Sequence, residues 1–179
     1  MKTVEPATAS GAVETTSSPT VSIVIPAYNE ENAIIPTIEK VREVLGGAGI
    51  DYELVVVNDG SKDGTLAAAE STGVHVVNFP QNGGYGRALK AGIAVTSAPL
   101  VAIIDADGTY PAEVLPKMIE MAAYNEMVVG DRGAAMKGVP MIRKPAKWVL
   151  NNLASYLAQH KITDLNSGLR VFRRPELER

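Results

Sequence analysis

The sequence predicts an α/β protein, a three-layer α/β/α sandwich around a mostly parallel sheet. Two observations carry this. Short apolar runs rich in Val and Ile recur along the chain, and segments of helical periodicity separate them. Runs that are apolar throughout are what strands buried on both faces look like. Their alternation with helices is the pattern of a parallel sheet covered on both sides.

Strands are expected at 21–25, 53–58, 74–78, 100–105, 126–130 and 169–172. Between the first two, Ile34, Ile38, Val41 and Leu45 recur at helical spacing, Pro36 suits a first turn, and Gly46-Gly47 is expected to stop the helix. Asp63 is expected to cap a helix at 64–71. A third helix is expected at 84–95 with Ala88, Leu89, Gly92 and Ile93 facing inward, and a fourth at 111–124, started or bent by Pro116. The segment 132–142 holds two Gly, one Pro and two Met and is expected to be a mobile loop over the site. A long amphipathic helix with Val149, Leu153 and Tyr156 on one side is expected at 147–160.

Composition narrows the function classes. A net charge of −3 gives no electrostatic case for nucleic acid. The absence of cysteine excludes a disulfide framework and a thiolate metal site, and suits a reducing compartment. No apolar run approaches the ~18 residues of a membrane span. Residues 1–20 are rich in Ser, Thr, Ala, Pro and Glu without a signal-peptide core, and are expected to be a disordered tail ahead of one domain at 21–179.

The chemistry concentrates behind the strands. Val101-Ala102-Ile103-Ile104 runs into Asp105-Ala106-Asp107, which places two carboxylates at the carboxyl end of a strand, where open α/β sheets bind ligands. Such a pair suits Mg²⁺ or Mn²⁺, cations commonly held by one or two carboxylates plus substrate phosphates. Asp107 is the expected direct metal ligand; Asp105 is expected to share the metal through water or to hold a ribose. Asn82-Gly83-Gly84-Tyr85-Gly86-Arg87 is glycine-rich ahead of a helix, so Gly83 could admit a ligand to the backbone and Arg87 could neutralise a phosphate. The loop is not the G-x-G-x-x-G dinucleotide fingerprint, which argues against a Rossmann dehydrogenase. A nucleotidyltransferase would carry a Gly-rich loop with Arg and Lys after the first strand, where this chain has Pro26-Ala27-Tyr28-Asn29. His75 and His160 have no partners at ligand spacing, and Trp148 reads as a core or partner-facing residue.

Six blocks stand in order: 21–31 (VSIVIPAYNEE), 52–65 (YELVVVNDGSKDGT), 82–88 (NGGYGRA), the D-A-D triplet, 128–132 (VVGDR) and 164–173 (DLNSGLRVFR). Together they resemble the family 2 glycosyltransferases, most closely the dolichyl- and polyprenyl-phosphate sugar synthases such as dolichol-phosphate mannose synthase. The resemblance covers about residues 20–174 and implies the GT-A, Rossmann-like fold. It implies an inverting transfer of a sugar from a GDP- or UDP-linked donor to a polyprenyl or dolichyl phosphate, at the cytoplasmic face of a membrane. In that likeness Pro26, Tyr28 and Glu30 grip the nucleotide, Tyr28 against the base and Glu30 at the ribose. Asp59 meets base or ribose, and Asp105 and Ala106 line the donor site. Asn58 departs from the family's usual double Asp. Arg132 and Arg170 are implied for the acceptor phosphate, although Asp131 replaces a usual Ser. Asp164 is expected to orient the acceptor or the metal, or to act as base toward a hydroxyl. The run Arg173-Arg174 is expected to be solvated. In the family more chain usually follows, so the chain is expected to be a fragment truncated at its C-terminus. A hydroxyl-acceptor glycosyltransferase of polysaccharide or glycolipid synthesis, and a non-catalytic nucleotide-sugar-binding fragment, remain as alternatives.

Overall fold

The computed structural model of the chain describes residues 18–130 and 167–177. In chain order these form β1 (Val21–Ala27), α1 (Ile34–Gly47), β2 (Tyr52–Asp59), α2 (Thr65–Ser71), β3 (His75–Phe79), α3 (Tyr85–Ala94), β4 (Leu100–Ile103), α4 (Leu115–Ala122), β5 (Met127–Val129) and β6 (Arg170–Arg173). The strands make one sheet of order β3-β2-β1-β4-β6-β5. β1 is parallel to β2 and β4, and β2 to β3, while β6 runs antiparallel to β4 and β5. The mostly parallel sheet is as expected. The expected tail at 1–20 lies almost wholly outside the described residues. So do the loop at 132–142 and the helix at 147–160.

Period-two alternation sorts the strands onto two faces. Ile23, Ile25, Leu54 and Val56 join the larger cluster with Ile34, Ile38, Val41 and Leu45 of α1 and Leu115, Met118 and Ile119 of α4. Val24, Val55, Val57 and Val101 form the smaller cluster with Ala88 of α3, flanked by Leu89 and Ile93. Gly92 is what lets α3 lie down on this face, because a Cβ there would strike Val24 and Val57.

Helix ends follow local chemistry. α1 runs through Gly46-Gly47 and stops two residues later, at Gly49 with φ +64°. The Gly49 amide donates to the Gly46 carbonyl at 3.1 Å and that of Ile50 to Leu45 at 3.0 Å, the paired bonds of a Schellman motif. The expected stop was displaced because glycine inside a helix is tolerated, whereas a left-handed residue ends it. The fourth helix begins as a 3₁₀ turn over Ala112–Val114 and becomes α-helical at Leu115, with Pro116 in the first turn, where its missing N–H breaks no bond.

Candidate active site

The chain crosses over between β1 and β4, leaving a crevice at their carboxyl ends. A cleft of about 430 Å³ lies there, walled by Pro26, Ala27, Tyr28 and Glu30 after β1, Asp59 at the end of β2, Asn82, Gly84 and Tyr85 before and in α3, and Asp105-Ala106-Asp107 after β4. Of the residues expected to bind a nucleotide-sugar, the fold thus brings Pro26, Tyr28, Glu30, Asp59, Asp105 and Ala106 to one cleft, together with Asp107, the expected metal ligand. Gly83 and Arg87 are not in its wall. Arg132, Asp131 and Asp164 lie outside the described residues.

The loop after β1 is laced to the loop after β2. Asn29, at φ +57°, donates its amide to Ser61 Oγ at 3.0 Å and accepts the Lys62 amide on Oδ1 at 2.8 Å. The Glu30 amide donates to Thr65 Oγ1 at 2.7 Å, and Glu31 Oε2 accepts the Gly64 amide at 2.8 Å. Neither Asn29 nor Glu30 caps α1 with its side chain. Asp63 does act locally, accepting the Thr65 amide at 3.1 Å on Oδ1 and the Glu31 amide at 3.3 Å on Oδ2. The Glu30 carboxyl is thereby held over the cleft. Burial pushes it above the usual carboxylate range, and Asp107, Asp63 and Asp105 add repulsion.

Asp59 is almost fully buried, and both its oxygens are engaged. Oδ1 accepts the Gly83 amide at 2.9 Å and Oδ2 the Gly84 amide at 2.8 Å. The amides that the sequence suggested for a ligand are therefore taken by Asp59, which shapes the glycine loop while still facing the cleft. Arg87, expected at a phosphate, lies over the Phe79 ring at 3.8 Å and donates to the Gln81 carbonyl at 3.3 Å. A cation on an aromatic face satisfies its charge outside the cleft. Asn58 is buried, donates to Asn78 Oδ1 at 2.8 Å and accepts the Ser61 amide at 3.3 Å.

The D-A-D loop is held from three sides. Thr37 Oγ1 of α1 donates to the Ala106 carbonyl at 3.0 Å. Tyr85 donates to Asp105 Oδ1 at 2.9 Å. Gly168 abuts the Asp105 carboxylate so closely that a Cβ would land on it. The Gly168 amide donates to the Tyr110 hydroxyl at 2.5 Å, and Ser167 Oγ donates to the Gly130 carbonyl at 2.5 Å. Asp107 is exposed, and its Oδ1 accepts the amide and hydroxyl of Thr109 at 3.0 and 2.7 Å.

The family model for glycosyl transferase family 2 matches residues 22–178. The chain belongs to glycosyl transferase family 2. This family 2 chain is 31% identical over 164 residues to the undecaprenyl-phosphate 4-deoxy-4-formamido-L-arabinose transferase of Photorhabdus laumondii, covering 88% of this chain and 50% of that protein. It is 30% identical over 160 residues to the dodecaprenyl-phosphate galacturonate synthase of Rhizobium johnstonii, covering 85% and 47%. The chain spans about half the length of these relatives. Among solved structures it resembles the glucosyl-3-phosphoglycerate synthase of Mycobacterium tuberculosis in complex with Mn²⁺, UDP-glucose and phosphoglyceric acid. The TM-score is 0.68 at 26% identity, over 88% of this chain and 57% of that one. The fold of this family 2 domain is GT-A.

The carboxylates suit a divalent cation shared with a ligand. Among the described residues no group of three or more His, Cys, Asp or Glu could hold a metal alone. Asp107 presents a carboxylate at the cleft beside the mutually repelling Glu30 and Asp105. One or two carboxylates, with the remaining positions filled by diphosphate oxygens and water, is the arrangement Mg²⁺ and Mn²⁺ favour.

The late arginines divide. Arg170 stands opposite Ile103 at the cleft end of β4, donates from Nε to the Ser167 carbonyl at 2.9 Å, and its charge reaches Tyr85. Arg173 and Arg174, expected to be solvated, are part-buried and structural. Arg173 Nε donates to the Ala122 carbonyl at 3.0 Å. Arg174 donates to the Ala98 carbonyl at 2.6 Å and to Thr96 Oγ1 at 3.0 Å. Sequence reasoning missed Thr37, Tyr110 and Ser167 as supports of the site. Only Ser167-Gly168, inside the late block, gave a signal. Among the described residues no helix is long and apolar enough to cross a membrane.

Proposed function

We propose that this chain carries the donor half of a metal-dependent inverting glycosyltransferase that moves a sugar from a nucleotide-sugar to a polyprenyl phosphate. The observation that carries the reading is the convergence of the P-A-Y-N-E loop, Asp59 and the D-A-D triplet on one cleft. Tyr28 and Pro26 take the base, Glu30 and Asp105 the ribose hydroxyls, and Asp107 the cation. Asp107 would hold the cation together with the donor's diphosphate, and the cation would supply the positive charge that offsets the departing nucleoside diphosphate.

Attack comes from the face of the sugar opposite the nucleotide, while positive charge builds on the ring. A phosphate acceptor is already an anion and needs no general base. Arg170, the first residue of β6 and opposite Ile103 of β4, and Arg132 would neutralise it. Asp164 would orient the acceptor or the metal. The names of the relatives, which specify undecaprenyl and dodecaprenyl phosphate, favour this acceptor class. The Mn²⁺ and UDP-glucose held by the mycobacterial synthase favour the donor class and the metal. That synthase also holds phosphoglyceric acid, and its likeness keeps a small phosphorylated hydroxyl acceptor as a second reading. A polyprenyl-phosphate acceptor favours work at a membrane surface, on its cytoplasmic side.

The test is calorimetric titration of UDP, GDP and dTDP with Mn²⁺ and with EDTA. Mn²⁺-dependent binding of one nucleotide is the expected result and identifies the donor base; no binding of any refutes the donor site. Transfer from the matching nucleotide-sugar to polyprenyl phosphate, and none to phosphoglycerate or sugar hydroxyls, is the expected acceptor result.

A further inference from the structure

Two walls of the cleft are joined by one side-chain bond. Tyr85 is the first residue of α3, half-exposed in the cleft wall, and its hydroxyl donates to Asp105 Oδ1 at 2.9 Å. On its other side the Asp105 carboxylate fills the space where a side chain at residue 168 would start. The carboxylate is thus caught between the phenol of α3 and the backbone ahead of β6. Rotating it away would break the phenol bond and drive it against Gly168. Among the described residues Asp107 is held within its own turn, by Thr109. The tyrosine ring is available to pack against a ligand face, but its hydroxyl is committed to Asp105.

We propose that Tyr85 is a positioning residue for donor binding, acting through the carboxylate of Asp105. The proposal rests on the reading of the cleft as the donor site. Tyr85 fixes the direction in which the Asp105 carboxylate faces the hydroxyls of the nucleoside. It also keeps α3 and the D-A-D loop at the separation the nucleotide requires. The Arg170 charge also reaches Tyr85.

The test is Tyr85→Phe, which removes one oxygen and keeps the ring. Nucleoside diphosphate affinity is measured at saturating Mn²⁺, and the Mn²⁺ concentration giving half the effect is measured separately. The expected result is an affinity about tenfold weaker, the loss of one charge-assisted hydrogen bond's orienting effect, with the Mn²⁺ midpoint unchanged. In an Asp105→Asn background the same change adds no further loss, whereas a role in α3 packing alone would weaken both backgrounds equally. Equal affinity in parent and Tyr85→Phe overturns the proposal. So does equal loss in both backgrounds. A lower Mn²⁺ midpoint also overturns it, since the phenol would then be competing with the cation. If the parent binds no nucleoside diphosphate, the donor-site reading itself has failed and the proposal falls with it.

Discussion

Replacing Asp59 by Asn changes one atom and should unsettle a whole loop. In the native chain the carboxylate takes the Gly83 amide at 2.9 Å and the Gly84 amide at 2.8 Å. An Asn amide has one acceptor oxygen, so its NH₂ group must face one of the two N–H donors. One bond is lost and the other is no longer charge-assisted. A hydrogen bond to a charged group contributes about 1.5–3 kcal/mol. Gly83 is exposed, so its released amide regains water, and the net loss falls to roughly 1–3 kcal/mol. With a urea slope of about 2 kcal/mol per molar, the unfolding midpoint drops by roughly 1 M. Circular dichroism in urea reads this directly. Asp59→Ala supplies the control, because it removes both bonds, so it should destabilise at least as much as Asn. A midpoint for Asn within about 0.2 M of the parent, at unchanged slope, would refute the clamp. So would an Ala variant clearly more stable than Asn.

The remaining predictions concern charge and space in the same cleft and beneath it. Asp107→Asn should leave the unfolding midpoint nearly unchanged and abolish the Mn²⁺-dependent part of nucleotide binding; calorimetry with and without EDTA checks it. Gly168→Ala should reduce donor affinity by at least tenfold, because the new methyl displaces the Asp105 carboxylate; a variant binding like the parent would remove that contact from the site. Burial disfavours the Glu53 carboxylate, yet bonds from Ser22 Oγ at 2.6 Å and the amides of Ser97 at 2.6 Å and Ala98 at 3.0 Å hold it below the usual range. A depressed carboxylate stabilises above its unfolded pKa and loses that contribution as pH falls through the folded value. Glu53→Ala should therefore destabilise at pH 7 by about 2 kcal/mol and flatten the acid limb of a stability–pH profile. Glu30 has the opposite sign. Its raised folded value means the ionised form burdens the fold as pH rises through it. Glu30→Gln should stabilise the ligand-free chain at neutral pH while weakening nucleotide binding, seen by pairing thermal scans with calorimetry.

Much of this molecule is legible in its sequence because parallel strands buried on both faces show as unbroken apolar runs. Val21 to Ala27 is buried throughout, and its run was plain. The cleft residues were legible for a related reason, since each follows directly behind a strand that could be placed. What stayed hidden were partners far apart in the chain. Nothing near Asp59 announces that its oxygens close on amides more than twenty residues later. Thr37, four residues into α1, looks like any helical threonine until the fold brings the Ala106 carbonyl above it. Arg173-Arg174 reads as a solvated pair because the sequence cannot show which backbone carbonyls at the sheet's far end need donors.

These long-range bonds sort the acids near the cleft into two groups. Asp59 and Asp63 are spent on backbone amides, so they shape the glycine loop and the start of α2. Glu31 likewise holds Gly64. Glu30, Asp105 and Asp107 are the acids whose charges meet across the cleft, and their repulsion registers on Glu30. Bringing such charges together costs a repulsion that registers on Glu30, and a divalent cation relieves it on arrival. Tight nucleotide binding should therefore require the cation for two reasons. It supplies coordination to the diphosphate, and it cancels a repulsion that would otherwise oppose bringing further negative charge into the cleft. Raising the salt concentration without divalent metal should recover only the screened part of that repulsion. A cleft that bound nucleoside diphosphate equally well in EDTA at high salt and in Mn²⁺ would show that coordination contributes nothing.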